Sequence, residues 1–168
     1  MSKLCQEEGK EYEYKELEGQ WWLQEEWIFP PEVENQEPSV YQLIHDFIIN
    51  KVVPKSECVE LSSHFLPRII VIEAEHPTRG IEYARIILSP TDVREGRPDV
   101  EPDLIIHIKY YDFVRILRGE LDIMLPLFQG QGWLIGNIVT GFDLKDLMDV
   151  ANNRELTPRA KAWPIGHP

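Results

Sequence analysis

Cysteine is scarce in this 168-residue chain: there are two, Cys5 and Cys58, far apart in sequence. Nothing resembles a Cys-x-x-Cys pair, so neither a disulfide framework nor a cysteine-based zinc site is expected. Long hydrophobic runs are missing as well. No stretch approaches the roughly 20 apolar residues of a membrane span, and Met1–Glu8 lacks the apolar segment of a secretory signal. A reduced, cytoplasmic protein with no integral membrane association is the expectation. Positive charge is in deficit too: 17 Lys and Arg stand against 29 Asp and Glu, a net charge of −12. Lys and Arg nowhere cluster. A nucleic-acid binder needs a cationic face to neutralise phosphates, and anionic lipid attracts the same residues. Neither partner fits.

Recognisable catalytic patterns are also lacking. The five histidines (His45, His64, His76, His107 and His167) include no pair at His-Glu-x-x-His spacing and none in a metal-ligand pattern. No serine occupies a Gly-x-Ser-x-Gly elbow. His107 lies within an apolar strand-like run; it reads as an outward or satisfied strand histidine, or as a general base in a pocket. Asp143, Asp146 and Asp149 fall three apart and read as a solvated helical face. Gly130-Gln131-Gly132 with Gly136 is one residue off a dinucleotide fingerprint. That fingerprint needs a strand before it and a helix starting within it. Here an apolar, proline-containing segment precedes it and a strand-like run lies within, so these glycines read as tight turns flanking a strand. No metal or cofactor is called for.

What is present is an ordinary globular composition, 43% hydrophobic and 27% charged. A chain of this length buries roughly two-thirds of its unfolded surface without staples. The acidity is uneven. Residues 1–38 carry eleven Glu against three Lys, which is −8 of the −12. The same segment holds Trp21, Trp22, Trp27, Ile28 and Phe29, and a disordered acidic tail would be poor in such residues. It is an N-terminal extension in front of a domain spanning 39–168. Glu7–Glu18 reads as solvated and helix-compatible. The rings of residues 20–29 either cover the protein's own core or form a strip that docks a partner.

Ser39 opens a periodic stripe of Val40, Leu43, Ile44, Phe47, Ile48 and Val52, a helix capped by serine and ended before Pro54. A short helix follows at Ser56–Ser62. Arg68–Glu75 and Glu82–Ser89 are strand-like runs separated by Pro77–Gly80, suited to antiparallel pairing. Ser89–Pro102 is rich in Pro, Asp and Gly and reads as a loop. Asp103–Lys109 is a third strand. Phe113, Ile116 and Leu117 return to helical spacing, with Gly119 at a C-terminal cap position. Gln131–Val139 is a fourth strand candidate and Phe142–Val150 a final helix. The tail from Ala151 is irregular.

Leu121–Phe128 stands out, with six large apolar side chains in eight residues. Such a segment must be buried in a core or must line a cavity, and Met124 and Phe128 suit an adaptable wall.

The order of these motifs resembles the sterol carrier protein type 2 lipid-binding domains. The residues that carry the likeness are Asp103–Lys109, Tyr111-Asp112-Phe113, Gly119-Glu120-Leu121, the apolar Ile123–Phe128, Phe128-Gln129-Gly130, Gly136-Asn137 and the helix from Phe142. The resemblance implies an α+β fold: a five-stranded, mostly antiparallel sheet covered by helices on one side, with a hydrophobic tunnel between sheet and helices. It implies a non-catalytic carrier for an apolar small molecule such as a fatty acid, acyl-CoA, sterol or aromatic. The alternative is an accessory subunit that holds a hydrophobic substrate for a catabolic enzyme docked through residues 20–29. Carried over by position, the lining is Phe113, Leu117, Met124, Leu125, Phe128, Trp133, Ile135, Ile138 and Phe142. Three departures stand out. The chain ends Gly166-His167-Pro168, without the family's small-basic-Leu peroxisomal tripeptide. Gln131–Ile135 lacks the family's lysines, and Trp133 adds a large ring. The acidic, Trp-rich first 38 residues lie outside the pattern.

Overall fold

The computed structural model describes residues 12–29 and 35–156. Residues 1–11, 30–34 and the tail beyond residue 156 lie outside them, and the described part of the helix-compatible stretch, Tyr12–Glu18, is chain without helix or strand. The first long helix, α1 (Val40–Phe47), begins where the side chain of Ser39 accepts from the Gln42 N–H at 3.1 Å. It widens into a π turn over Ile48–Val52, closed by Val53 N–H donating to the Ile48 carbonyl at 2.9 Å. The widening keeps Ile48 and Val52 on the buried side with the rest of the stripe. Truncating fully buried Leu43 to alanine would cost about 2–5 kcal/mol. Helix α2 (Ser56–Ser63) follows the turn at Pro54.

Five strands form one mixed sheet: β1 (Ile69–His76), β2 (Gly80–Leu88), β3 (Thr91–Glu95), β4 (Leu104–Lys109) and β5 (Trp133–Gly136). Their order is β3-β2-β1-β4-β5. All neighbours are antiparallel except β1 with β4, which are parallel. The hairpin between β1 and β2 is pinned by His76, whose Nδ1 accepts from the backbone N–H groups of Thr78 and Arg79 at 3.2 Å each.

Strand β3 corrects the reading of Ser89–Pro102 as a loop. It is an edge strand, and Val93 is its one buried residue, so it carries no alternating apolar signature. The strand expected over Gln131–Val139 is also shorter, spanning Trp133–Gly136 as β5. Asn137 caps the helix that follows, its side chain accepting from Val139 and Thr140 N–H at 3.0 and 3.4 Å. Ile138 is therefore helical.

Alternate residues of β1, β2 and β4 (Ile70, Ile72, Ala84, Ile86, Leu104, Ile106, Ile108) are buried on one face of the sheet. That face is covered by α1, by α3 (Tyr110–Leu117) and by α5 (Ile138–Ala151). Between α3 and α5 lies the short α4 (Met124–Phe128). Both α3 and α4 stop at glycines with positive φ, Gly119 at +80° and Gly130 at +72°. Each end makes the paired terminal bonds of a Schellman cap, Glu120 N–H to Arg115 O and Gln131 N–H to Pro126 O among them. Pro126 sits in the first turn of α4, where its missing N–H costs nothing. Beyond Gly130, Gly132 precedes β5 and Gly136 is its last residue. A Cβ on Gly132 would lie 2.4 Å from the His107 carbonyl, and one on Gly136 would lie 2.3 Å from that of Asp103.

The tryptophans of the N-terminal segment are spent on the chain's own core. Trp21, Trp22, Trp27 and Ile28 are buried, and Trp27 packs edge-on against Phe47 at 5.8 Å. Glu37 ties the segment down. Its carboxylate accepts from Trp21 Nε1 at 2.6 Å, His76 Nε2 at 2.5 Å and the Tyr111 hydroxyl at 2.9 Å. Asp143 and Asp146 correct another expectation, because both are buried rather than solvated.

Candidate ligand-binding site

Two apolar voids lie beneath α5. The larger, about 20 Å³, is lined by Ile106 of β4, Ile123, Met124 and Leu127 around α4, Leu134 of β5, and Ile138, Gly141 and Phe142 of α5. No charged side chain reaches it. Gly141 lets α5 approach the sheet closely, since a Cβ there would meet the Leu104 side chain at 3.2 Å. The second void, about 10 Å³, is lined by α1, β2, α3 and α5 through residues such as Phe47, Ile86, Phe113, Leu117 and Leu147. Both lie against α5 and share no lining residue.

The nine expected lining residues divide accordingly. Met124, Ile138 and Phe142 line the larger void, and Phe113 and Leu117 line the smaller. The remaining four line neither. Leu125 points outward from α4, and Phe128 is 75% exposed. Trp133 and Ile135 pair with His107 and Ile105, on the face of the sheet away from the helices. Between them Leu134 pairs with Ile106 and points inward. The positions are one residue out of phase, and in a strand that reverses the face. Ile106, Ile123, Leu127 and Gly141 were also missed. Leu127 was within reach of pattern reasoning, since it lies three residues from Met124 on the same side of a helix.

His107 sits on the open face, away from both voids, which removes it as a base in the pocket. Its ring lies flat under Trp133, with centroids 3.8 Å apart and planes 2° apart. Glu73 and Glu75 approach its two nitrogens at 3.1 and 3.5 Å. His64 ends α2 in solvent. Among the described residues no group of His, Cys, Asp and Glu could hold a metal ion, and no helix is long and apolar enough to cross a membrane. The titratable groups perturbed by burial lie away from the voids. Asp112 is held above the usual carboxylate range by desolvation, and Tyr110 and Tyr111 above the usual phenol range for the same reason. The larger void offers shape and apolar surface rather than reactive groups.

No protein-family model matches the sequence, and no curated protein matches it. Solved structures do. The sterol carrier protein domain 2 of Helicoverpa armigera is 20% identical, with a TM-score of 0.54, over 73% of this chain and 98% of that one. Palmitated SCP2L2 from Aedes aegypti is 18% identical, with a TM-score of 0.51, over 66% and 95%. The UbiJ-SCP2 ubiquinone synthesis protein is 14% identical, with a TM-score of 0.54, over 67% and 95%. At these identities the likeness is one of fold. The chain has the sterol carrier protein 2 fold, an α+β arrangement with a five-stranded, mostly antiparallel sheet.

Proposed function

We propose that this protein is a non-catalytic binder or carrier of an apolar small molecule, held between α4, α5 and the sheet. The observation that carries this reading is the void lined by Ile106, Met124, Leu127, Leu134, Ile138 and Phe142, closed on one side by a five-residue helix set between glycine turns. As it stands the void has room for about one water-sized molecule. A fatty-acyl chain enters when α4 swings away from α5 about Gly119 and Gly130. The Aedes aegypti neighbour is described as palmitated, which supports an acyl chain as the first ligand to try. Burying some 300 Å² of ligand at about 25 cal/mol per Å² provides roughly 7 kcal/mol before ordering costs, so micromolar affinity is the expected ceiling.

Titration of the full chain with a fluorescent fatty acid tests the proposal. Saturable binding should be displaced by unlabelled palmitate and weakened at least about tenfold by Met124→Trp, which fills the void. Phe128→Asp, off the void, should leave it intact. Hydrogen exchange at 121–130 should slow when ligand binds. Failure to displace the probe with any of a fatty acid, an acyl-CoA, a sterol and a small aromatic would overturn it.

The accessory-subunit reading finds support in one neighbour, described as a ubiquinone synthesis protein. Within residues 20–29 it would have to use Leu23 and Phe29, which remain exposed when the tryptophans are buried. Leu23→Glu with Phe29→Glu should then abolish capture of a partner enzyme by the full chain. Unchanged capture would sink that reading.

A further inference from the structure

From Ile123 to Phe142 the chain runs twenty residues without Asp, Glu, Lys, Arg or His, bounded by Asp122 and Asp143. In a protein of net charge −12 this is a neutral island. It folds into α4, β5 and the start of α5, and much of its apolar content faces solvent. Phe128, Trp133 and Ile135 are each more than half exposed, and Ile138 and Val139 at the start of α5 are also exposed. Trp133 and Ile135, two residues apart, stand on the same face of β5 and leave an apolar pair open to solvent there.

The patch lies along an open sheet edge. Strand β5 ends the sheet, and Asn137 N–H donates to Asp103 O at 2.7 Å, which sets the alternation of its ladder with β4. By that alternation the N–H and C=O of Leu134 point away from β4, towards an edge that no other described strand pairs with. The opposite edge is treated differently. Strand β3 carries Asp92, Arg94 and Glu95 among five residues, the usual charged protection against strand pairing. Strand β5, Trp-Leu-Ile-Gly, carries no charge.

We infer that β5 is the interface between two copies of this chain, paired antiparallel about a two-fold axis with their neutral islands facing. Two −12 chains repel across most of their surface, and the island is where they approach at least electrostatic cost. Edge pairing satisfies the outward backbone groups of Leu134. A lipid surface would take the same side chains but leave those groups without partners. Uncharged Gln129, Gln131 and Asn137 extend the island around β5. The inference does not depend on the ligand, and loss of fatty-acid binding would leave it untouched.

Sedimentation equilibrium of the full chain from about 1 to about 100 µM tests it, at low and high salt. A monomer–dimer equilibrium is expected, shifted towards dimer as salt screens the repulsion. Ile135→Lys occurs twice in a two-fold interface and should raise the dissociation constant at least roughly a hundredfold. Val59→Lys, exposed on α2, should leave it unchanged. Circular dichroism confirms folding; if Ile135→Lys unfolds, Phe128→Lys at the three-quarters exposed position replaces it. A chain that stays monomeric throughout overturns the inference, as does a dimer insensitive to both substitutions. A monomer that floats with neutral phosphatidylcholine vesicles, and loses this with Ile135→Lys, assigns the island to a lipid surface instead.

Discussion

The N-terminal segment and the stretch from Ile123 to Phe142 are both rich in large apolar side chains, and the fold treats them in opposite ways. The first is strongly acidic, yet Trp21, Trp22 and Trp27 are buried. The second has no charge, yet Trp133 and Phe128 face water. Local charge therefore does not decide which rings are covered. Anchors do. The acidic segment brings its own acceptors to the body: Glu37 collects three donors, and Glu25 meets Arg118 at 2.7 Å. Asn50 donates to the Trp27 carbonyl at 2.8 Å. The neutral stretch has few such partners. It is held by close backbone approach at Gly132 and Gly136, which fixes β5 but covers only one side of it.

The contrast can be broken experimentally. Trp27→Ala should cost about 3–5 kcal/mol in chemical denaturation, as for a buried ring in a packed core. Glu37→Gln keeps the size of the side chain but offers an amide NH₂ where donors converge. It should cost about 1–3 kcal/mol. Trp133→Ala removes a ring that is half in water and stacked on His107, and should cost about 1 kcal/mol. If Trp133→Ala proved as damaging as Trp27→Ala, the open face would be part of the core in all but exposure.

The smallest effect concerns the contact between the first segment and α3. The Tyr12 hydroxyl donates to Asp112 Oδ2, while the buried Asp112 Oδ1 has no hydrogen-bond partner. Desolvation raises the Asp112 carboxyl above its ordinary 3.8. The folded state thus favours the protonated form. That contribution is complete below the unfolded value and is lost as pH rises through the folded one. Asp112→Asn keeps an acceptor for Tyr12, so its stability should gain on the wild type between about pH 4 and neutrality. Parallel pH profiles of melting temperature for the two proteins would refute this.

Much of the fold was legible because burial wrote a period into the sequence. Val40, Leu43, Ile44, Phe47 and Val52 name a helix face, and Ile70, Ile72 and Ala74 name a strand face. Strand β3 was illegible because an edge with one inward valine has no period to show. The candidate site was half legible. Met124, Ile138 and Phe142 followed from the order of motifs. Leu134 was lost to a phase choice between neighbours that are all apolar: Trp133, Leu134 and Ile135 offer no polar residue to mark the outer face. The helical start at Ile138 was hidden by the β-branched pair Ile138-Val139, although Asn137 before them was a capping signal.

The two ends of α5 are fastened by different groups. At its last turn Lys55 Nζ donates to the Val150 carbonyl at 2.6 Å, and just beyond it Lys55 also reaches the Asn153 side chain and Lys51 that of Asn152. Arg154 joins the Gly119 carbonyl nearby. At the other end the Asn137 side chain caps the helix, its backbone N–H donates to Asp103 O at 2.7 Å, and Arg68 donates to the Thr140 hydroxyl at 3.3 Å. A 14-residue helix is about 21 Å long, so a pivot at the lysine end converts a tilt of a few degrees into about 1–2 Å at Ile138. The lysine clamps thus hold the end of α5 that lies far from the larger void. Replacing Lys55 would loosen that end, and the change would reach the void along the helix without touching a residue that lines it.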